Sequence, residues 1–147
     1  MSTSPLVTFW VAGKPVAQPR WKSRQDRRPC DAWRELIGWR AKTAMAGRKA
    51  FTGPLWVEML FILPVPESAT KKEAATLYGQ PHTSRPDTDN LGKPLDCLNK
   101  LVWSDDALHS TVLARKRYQR SGEQTGVQVS VFRDDPALPV ALRGVPW

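Results

Sequence analysis

The chain has 147 residues, of which 41% are hydrophobic, and its formal net charge is +8 at pH 7. That size and apolar content predict one domain with one buried core. The only cysteines, Cys30 and Cys97, have no CxxC spacing, which argues against a zinc ribbon or a disulfide framework and predicts two reduced, buried thiols. No apolar run is long enough for a signal peptide or a membrane span, so we expect a soluble cytoplasmic protein with no membrane partner.

The positive charge is concentrated near the start of the chain. Residues 14–49 contain eleven Lys and Arg against three acidic residues, and the basic and acidic residues elsewhere cancel. A surface that faces a polyanion explains this, with nucleic acid favoured over acidic lipid because no amphipathic lipid-binding helix is present. A solvated, solubilising face explains the charge equally well.

The first third of the chain predicts a strand, a loop and a helix. Leu6–Val11 is an apolar, β-branched and aromatic run that predicts a strand. The prolines and basic residues that follow predict an irregular basic loop at about 13–30. Asp31 is the expected N-cap of a helix to about Ala46, with an apolar stripe at helical spacing. The tryptophans at positions 10, 33, 39 and 56 are expected in the core.

The middle of the chain predicts a strand and two helices. Residues 54–63 are almost entirely apolar and predict a buried strand. Residues 68–78 predict a short polar helix. A further helix, capped by Asp89 or Asn90, is expected to continue to about Val102 with Pro94 in its first turn, where a missing N–H costs little.

The last third predicts two strands, at 111–118 and 126–132, joined as a hairpin, and then a C-terminal tail at about 133–147. The resulting order of strands and helices is mixed. We therefore expect a single compact α+β domain over 1–147, with a mixed sheet and helices packed on it.

Two acidic pairs stand out in this basic chain. In an extended segment, Asp87 and Asp89 would project to one face and aim both carboxylates at one point, and Pro86 favours extension. Mg²⁺ would relieve the repulsion between them, although these residues alone favour a helix cap as the role of one member. The second pair, Asp105 and Asp106, lies about 20 Å along the predicted helix, so the two pairs meet only if a strand brings the chain back.

The run RPDTDNLGKPLDCLNKLVWSDDALHSTV, residues 85–112, resembles the signature of the RusA-type Holliday-junction resolvases. In that family a basic residue precedes DxDN, a lysine follows, and a hydrophobic helix leads to a DD loop. The stretch FWVAGKPVAQPR is also similar to the family's first strand and basic turn. Several motifs in the right order are more specific than any one of them.

The resemblance implies a RusA-like fold and a Mg²⁺-dependent endonuclease, with Mn²⁺ as a substitute, that acts as a homodimer and resolves four-way DNA junctions by paired symmetric nicks. It implies that Asp87, Asp89 and Asp106 bind the metal and act in catalysis, with Asp105 as the weaker member of its pair. It gives Lys93 a catalytic role at the scissile phosphate. A bacterial or phage-infected cell is the expected setting.

One departure from the family pattern lies near Pro94. The family usually has four residues from the motif lysine to the next helix aspartate, whereas Lys93 to Asp96 spans three. A one-residue deletion rotates whatever follows by about 100° on a continuous α-helix. Either Pro94 begins the helix afresh or Lys93 and Asp96 are displaced from their family roles.

Basic side chains are the expected contacts to the DNA backbone, because they neutralise phosphates without reading sequence. The predicted set comprises Lys14, Arg20, Lys22, Arg24, Arg27, Arg28 and Arg85. Trp21, within this set, is expected in the core more than stacked on a base. The two histidines, His82 and His109, are too few for a nuclease site built on several histidines, and each is expected at the surface or in a strand.

Two alternatives stay open. A non-catalytic DNA-binding protein would use the basic arm for binding and the acidic pairs as caps and salt-bridge partners. A branched-DNA nuclease that prefers flaps or forks would differ from a junction resolvase only in its relative rates on different DNA shapes.

Overall fold

The computed structural model describes residues 4–18 and 24–135. Its strands are β1 (Val7–Ala12), β2 (Leu55–Leu63), β3 (His109–Tyr118) and β4 (Gly126–Arg133), and its α-helices are α1 (Arg24–Met45), α2 (Lys71–Leu77) and α3 (Thr88–Gly92). Two 3₁₀ helices, Lys93–Leu98 and Asp106–Leu108, lie between α3 and β3. The predicted order of strands and helices is confirmed.

The four strands form one mixed sheet in the order β1-β4-β2-β3. β2 pairs in parallel with β3, and β4 is antiparallel to both β1 and β2. The chain is therefore α+β with a mixed sheet, as predicted, but the expected hairpin of the last two strands is wrong. β2 lies between them, since all nine of its residues are buried and its backbone groups need partners on both edges.

The core lies on the sheet face that carries α1. Alternate residues of three strands point into it, namely Val7, Phe9 and Val11, then Val57, Met59 and Phe61, and Val127, Val129 and Val131. They pack with Trp33, Ile37, Ala41 and Met45 of α1 and with Leu91, Leu95 and Leu98 of the α3 region. The connection from β2 to β3 therefore crosses on the same face as α1. It carries residues 85–93, which we call the acidic motif, to the edge of the sheet at β3.

Helix α1 begins earlier than the sequence predicts. Its first residue is Arg24, so residues 24–30 are helical and Asp31 is not the N-cap. Pro29 lies inside the helix, close to the N-terminal end, where only a few backbone bonds precede it and the loss of one N–H is tolerated. Trp39 is also not in the core, because it lies on the outer side of α1 and is 62% exposed.

The predicted polar helix is confirmed as α2. Thr70 caps it with a capping box, in which the Glu73 backbone N–H donates to Thr70 Oγ1 and the Thr70 N–H donates to Glu73 Oε2. None of its residues is buried, so local capping contributes more to this helix than core packing. None of the described helices combines the length and apolar content that crossing a membrane requires.

The single helix predicted to end near Val102 is wrong, because it is divided. α3 ends at Gly92, a 3₁₀ helix follows with Pro94 in its first turn, and that helix ends at Leu98. A 3₁₀ helix has three residues per turn, so residues three apart lie directly above one another. Lys93 and Asp96 therefore share one side of this helix.

An ion pair between a buried arginine and a partly exposed glutamate closes the turn between β3 and β4. Arg117 is 3% exposed, and its two terminal nitrogens donate to Glu123 at 2.6 and 2.9 Å. Hydrogen bonding from Arg117 lowers the pKa of Glu123 from its ordinary 4.5 to about 2. Since the folded pKa is the lower one, the pair stabilises the fold fully above pH 4.5, and this stabilisation is lost as the pH falls toward 2.

We expect Glu123→Gln to make the fold less stable at neutral pH and less sensitive to acid. The wild-type protein should lose on the order of 2 kcal/mol of unfolding free energy between about pH 6 and about pH 3 that the variant does not lose. Urea unfolding of both proteins at the two pH values measures this. An equal acid-induced loss in both proteins would contradict the assignment to Glu123.

Candidate active site

A cleft of about 380 Å³ opens beside the 3₁₀ helix that follows α3. Its lining consists of Gln18, Val57, Met59, Gly92, Lys93, Leu95, Asp96, Trp103, Asp106, His109 and Val112. The apolar members come mostly from the sheet, whereas the charged members come from the 3₁₀ helix and from the acidic loop before β3. Because β3 returns parallel to β2, the chain brings Asp106 of the second acidic pair to the same cleft as Lys93.

Asp106 is fixed within this cleft by an indole. Trp103 Nε1 donates to Asp106 Oδ1 at 2.6 Å, while the Trp103 ring is buried. The bond orients the carboxylate and leaves its charge in place. Asp105 instead caps the short 3₁₀ helix, since its Oδ1 accepts from the Ala107 N–H at 2.8 Å.

Asp87 and Asp89 lie at the start of α3 and not in one extended segment. Asp87 is the N-cap, with extended backbone at φ −68° and ψ 147°, and Asp89 falls in the first helical turn. The expectation that both carboxylates project to one face of an extended segment is therefore wrong, because the helix begins between them at Thr88. The capping role predicted for Asp89 or Asn90 is wrong for the same reason.

The Asp87 carboxylate makes no capping hydrogen bond. It lines a second cleft, of about 510 Å³, together with Arg85, Pro86 and Asn90. Both Asp87 and Asp89 are exposed. Both carboxylates are therefore exposed, and neither makes a side-chain capping hydrogen bond to α3.

Asn90 connects the two clefts. Lys93 Nζ donates to Asn90 Oδ1 at 2.9 Å, and the Asn90 carbonyl accepts from the Gln18 N–H at 3.0 Å. Gln18 also lines the first cleft. The first basic turn of the chain is therefore tied directly to the acidic motif.

Asp96 belongs to neither acidic pair and forms an ion pair with Arg34. Arg34 Nη2 of α1 lies 2.8 Å from Asp96 Oδ1, and the two side chains are 34% and 53% exposed. An exposed pair of this kind stabilises a fold by at most about 1 kcal/mol. Its consequence is geometric, since it ties the 3₁₀ helix that carries Lys93 to α1.

His109 and Val112 line the first cleft and were not predicted as site residues. His109 is the first residue of β3 and meets the Trp103 ring edge-on, with ring centroids 4.3 Å apart. Burial lowers the His109 pKa, and Asp106 partly offsets this. Strand register alone gives no signal for these contacts, because they depend on where the 3₁₀ helix packs.

His82 is neither at the surface nor in a strand, contrary to expectation. It is 9% exposed and lies 4.5 Å from Tyr118, centroid to centroid. Burial lowers its pKa first, and the neighbouring Lys116 charge lowers it further. Both His82 and His109 are thus held in the neutral form at neutral pH.

The two cysteines are free, as predicted. Cys30 is buried, whereas Cys97 is only partly buried. Burial raises the pKa of both thiols, that of Cys97 to about 11. Neither cysteine therefore offers a thiolate at neutral pH.

Four of the seven predicted DNA-binding side chains can be placed. Lys14, Arg27, Arg28 and Arg85 are all exposed. Arg20 and Lys22 lie outside the described residues, as do Trp21, the side chain of Arg24 and the part of the predicted tail beyond residue 135. Arg85 lies beside Asp87 in the second cleft, and the helix α1 presents Arg27 and Arg28.

The donor chemistry of the site fits a hard divalent cation, for which carboxylate oxygens are suitable ligands. Within residues 4–18 and 24–135, no three or more His, Cys, Asp or Glu side chains are grouped closely enough to hold a metal ion. Asp106 lines the first cleft and Asp87 the second. The three predicted ligands are thus not gathered at one point among these residues, so a cation here would have one or two carboxylate ligands, with water and substrate as its others. The assignment of the aspartates as ligands stays a prediction.

A comparison with protein families gives a match over most of the chain. The family described as Endodeoxyribonuclease RusA matches residues 12–131. The matched region spans both acidic pairs, Lys93, strands β2 and β3 and most of β4. No individual curated protein matches the chain.

Proposed function

The chain belongs to the RusA endodeoxyribonuclease family, and from this premise we propose that it resolves four-way DNA junctions by paired, symmetric, Mg²⁺-dependent nicks. The observation that carries the proposal is the cleft in which Lys93 and Asp106 meet, within the region that the family matches. Asp87 and Asp89 begin the helix that leads into this cleft.

Hydrolysis of a phosphodiester requires a water to attack a group that is already anionic. A bound divalent cation would supply an activated water and neutralise charge on the phosphate. The protein would hold that cation through one or two of the predicted ligands Asp87, Asp89 and Asp106, and it would keep these carboxylates oriented. Trp103 performs this orienting role for Asp106 through its indole N–H.

Lys93 and Arg85 supply positive charge beside these carboxylates. The Lys93 ammonium has three donors and uses one of them on Asn90, so two are left for phosphate oxygens. Arg85 is exposed next to Asp87 and can bind a phosphate with two parallel hydrogen bonds. Both charges stabilise the transition state without competing for the cation.

DNA binding should depend strongly on salt, because it rests on phosphate contacts. We expect Arg27→Gln with Arg28→Gln to weaken junction binding and to reduce the slope of log affinity against log salt by about 2. Binding isotherms at several salt concentrations measure this. Lys71→Gln with Lys72→Gln, on the exposed helix α2, is the charge-matched control, and an equal effect in both double variants would contradict a specific role for α1.

A homodimer fits this substrate. A four-way junction has approximate twofold symmetry, so a C₂ dimer would present one site to each of two symmetric strands. Sedimentation with and without junction DNA tests the dimer. A monomer under both conditions would contradict it.

The non-catalytic alternative gains some support from two observed roles, since Asp105 caps a 3₁₀ helix and Asp96 pairs with Arg34. It does not account for Asp106, whose charge is oriented by an indole, or for Asp87, whose carboxylate makes no capping bond. Membership of an endonuclease family favours the enzyme.

Comparison of initial nicking rates on a four-way junction, a flap, a fork and matched linear duplex tests the proposal, in Mg²⁺, in Mn²⁺ and in EDTA. We expect the junction to be cut fastest, Mn²⁺ to substitute, and EDTA to stop the reaction. Faster cutting of flaps or forks would identify a different branched-DNA nuclease. Tight junction binding without cutting in any divalent metal would support the non-catalytic alternative.

A further inference from the structure

Lys116 makes two short contacts immediately before the acidic motif. Its Nζ donates to the Ser84 carbonyl at 2.6 Å and to the Pro86 carbonyl at 2.7 Å. These two carbonyls lie on either side of Arg85, and the second belongs to the residue that precedes Asp87. Lys116 is on β3 and is partly buried, so its ammonium is turned to the protein backbone.

The backbone of the same segment is already attached to the edge of β3. The Tyr118 N–H donates to the Gln80 carbonyl at 2.9 Å, and the His82 N–H donates to the Lys116 carbonyl at 3.2 Å. Beyond His82 no backbone bond to β3 continues among the described residues. From that point the Lys116 side chain holds the segment to β3, through its bonds to the Ser84 and Pro86 carbonyls just before α3.

A lysine is suited to this task. An ammonium has three donors around one point, so it can bind two carbonyls that approach from different directions. A carbonyl bonded to a charged donor is held more firmly than one bonded to a neutral donor. The two bonds therefore fix the backbone on both sides of Arg85 and at the N-cap of α3.

The second acidic pair shows a similar arrangement. Lys100 Nζ donates to the Ser104 carbonyl at 2.7 Å, and Ser104 is the residue before Asp105. In both places a lysine binds the carbonyl directly before an acidic pair. Lys100 is exposed and uses one such bond, whereas Lys116 is partly buried and uses two.

We propose that Lys116 is a positioning residue for DNA cleavage, which sets the place of the Asp87 carboxylate by holding the Ser84 and Pro86 carbonyls. This role rests on the proposed nuclease function. It assigns Lys116 no contact with DNA, because its ammonium is committed to the backbone. Removing it should displace the segment that carries Arg85 and Asp87, while the basic surface of α1 stays as it is.

The test compares Lys116→Met, Lys116→Arg and the control Lys72→Met, which removes an exposed lysine of α2. With junction in saturating amounts, the Met variant should nick about 10- to 100-fold more slowly than wild type, as expected for loss of a residue that orients a ligand. It should also need more Mg²⁺ for its half-maximal rate. Its junction affinity should fall much less than its rate, because Arg85 is the one assigned phosphate contact in the displaced segment. Lys116→Arg should recover part of the rate, and Lys72→Met should match wild type.

Hydrogen exchange gives a readout that does not depend on activity. The Leu91 N–H donates to the Asp87 carbonyl in the first turn of α3, so its exchange should be faster in Lys116→Met than in Lys72→Met. If Lys116→Met does not fold, Lys116→Gln, which keeps a neutral donor, replaces it in every comparison.

Three results would overturn the positioning role. The first is nicking at the wild-type rate with the same Mg²⁺ dependence, the second is a rate loss that saturating DNA restores, and the third is unchanged exchange at Leu91. If wild type cuts no DNA but Leu91 exchange is selectively faster in the variant, the nuclease proposal fails while the attachment of Asp87 by Lys116 stands.

Discussion

Asp89→Asn is expected to reduce junction nicking by at least about 100-fold and to leave junction binding unchanged or tighter. Asparagine has the same shape but no charge, so the first turn of α3 should persist while the candidate metal ligand is lost. Removing a negative charge next to the DNA backbone also removes a repulsion. Single-turnover nicking and binding isotherms on the same junction separate the two effects.

The matched control is Asp31→Asn, which removes an exposed aspartate from α1 outside the acidic motif. It should nick at the wild-type rate. Nicking by Asp89→Asn at the wild-type rate would exclude Asp89 from the chemistry. Weaker binding by Asp89→Asn would instead indicate that its charge supports the fold of the motif.

Trp103→Phe is expected to slow nicking by about 10- to 100-fold, because it removes the hydrogen bond that orients Asp106. Phenylalanine keeps an aromatic ring in the core and against His109. The unfolding free energy should fall by only about 1 to 2 kcal/mol. The rate at saturating DNA, with urea unfolding alongside, measures both.

Trp33→Phe is the matched control for this substitution. Trp33 is also buried, but its Nε1 has no hydrogen-bond partner among residues 4–18 and 24–135. Its replacement should cost packing and leave the nicking rate of the folded protein unchanged. Equal rate losses in the two variants would show that reduced packing, and not the Asp106 bond, is responsible.

Local patterns predicted much of the fold. The alternation of Val127, Val129 and Val131 predicted β4, and the apolar run at 54–63 predicted a buried strand, because side-chain burial in strands follows a two-residue period. The acidic motif and Lys93 were found because their spacing resembles a family signature. The family match supports that resemblance over a much longer region.

The errors arose where tertiary contacts decide the outcome. The last two strands looked like a hairpin, but β2 pairs with both, and strand order is not encoded in either strand alone. Pro29 looked like part of a loop, although helix α1 tolerates it near the N-terminal end. Pro94 was expected in the first turn of a helix, but the sequence did not show that this helix is a separate 3₁₀ helix.

The contacts that support the site could not be predicted from the sequence either. Trp103 is three residues from Asp106, and a hydrogen bond between them depends on the turn that joins them. Lys116 is 30 residues from Pro86, and only the packing of the segment along β3 brings them together. A sequence shows which carboxylates are candidates, but the groups that hold them depend on the folded chain.

Cleavage of a supercoiled plasmid that extrudes a cruciform is the most direct test of paired cutting at a junction. Two symmetric nicks within one encounter convert the plasmid to linear DNA, whereas unpaired nicks give open circles. We predict linear product as the first product in Mg²⁺, none in EDTA, and none from a plasmid without the cruciform. Open circles formed at equal rates from both plasmids, or no cleavage in any divalent metal, would contradict the proposed resolvase.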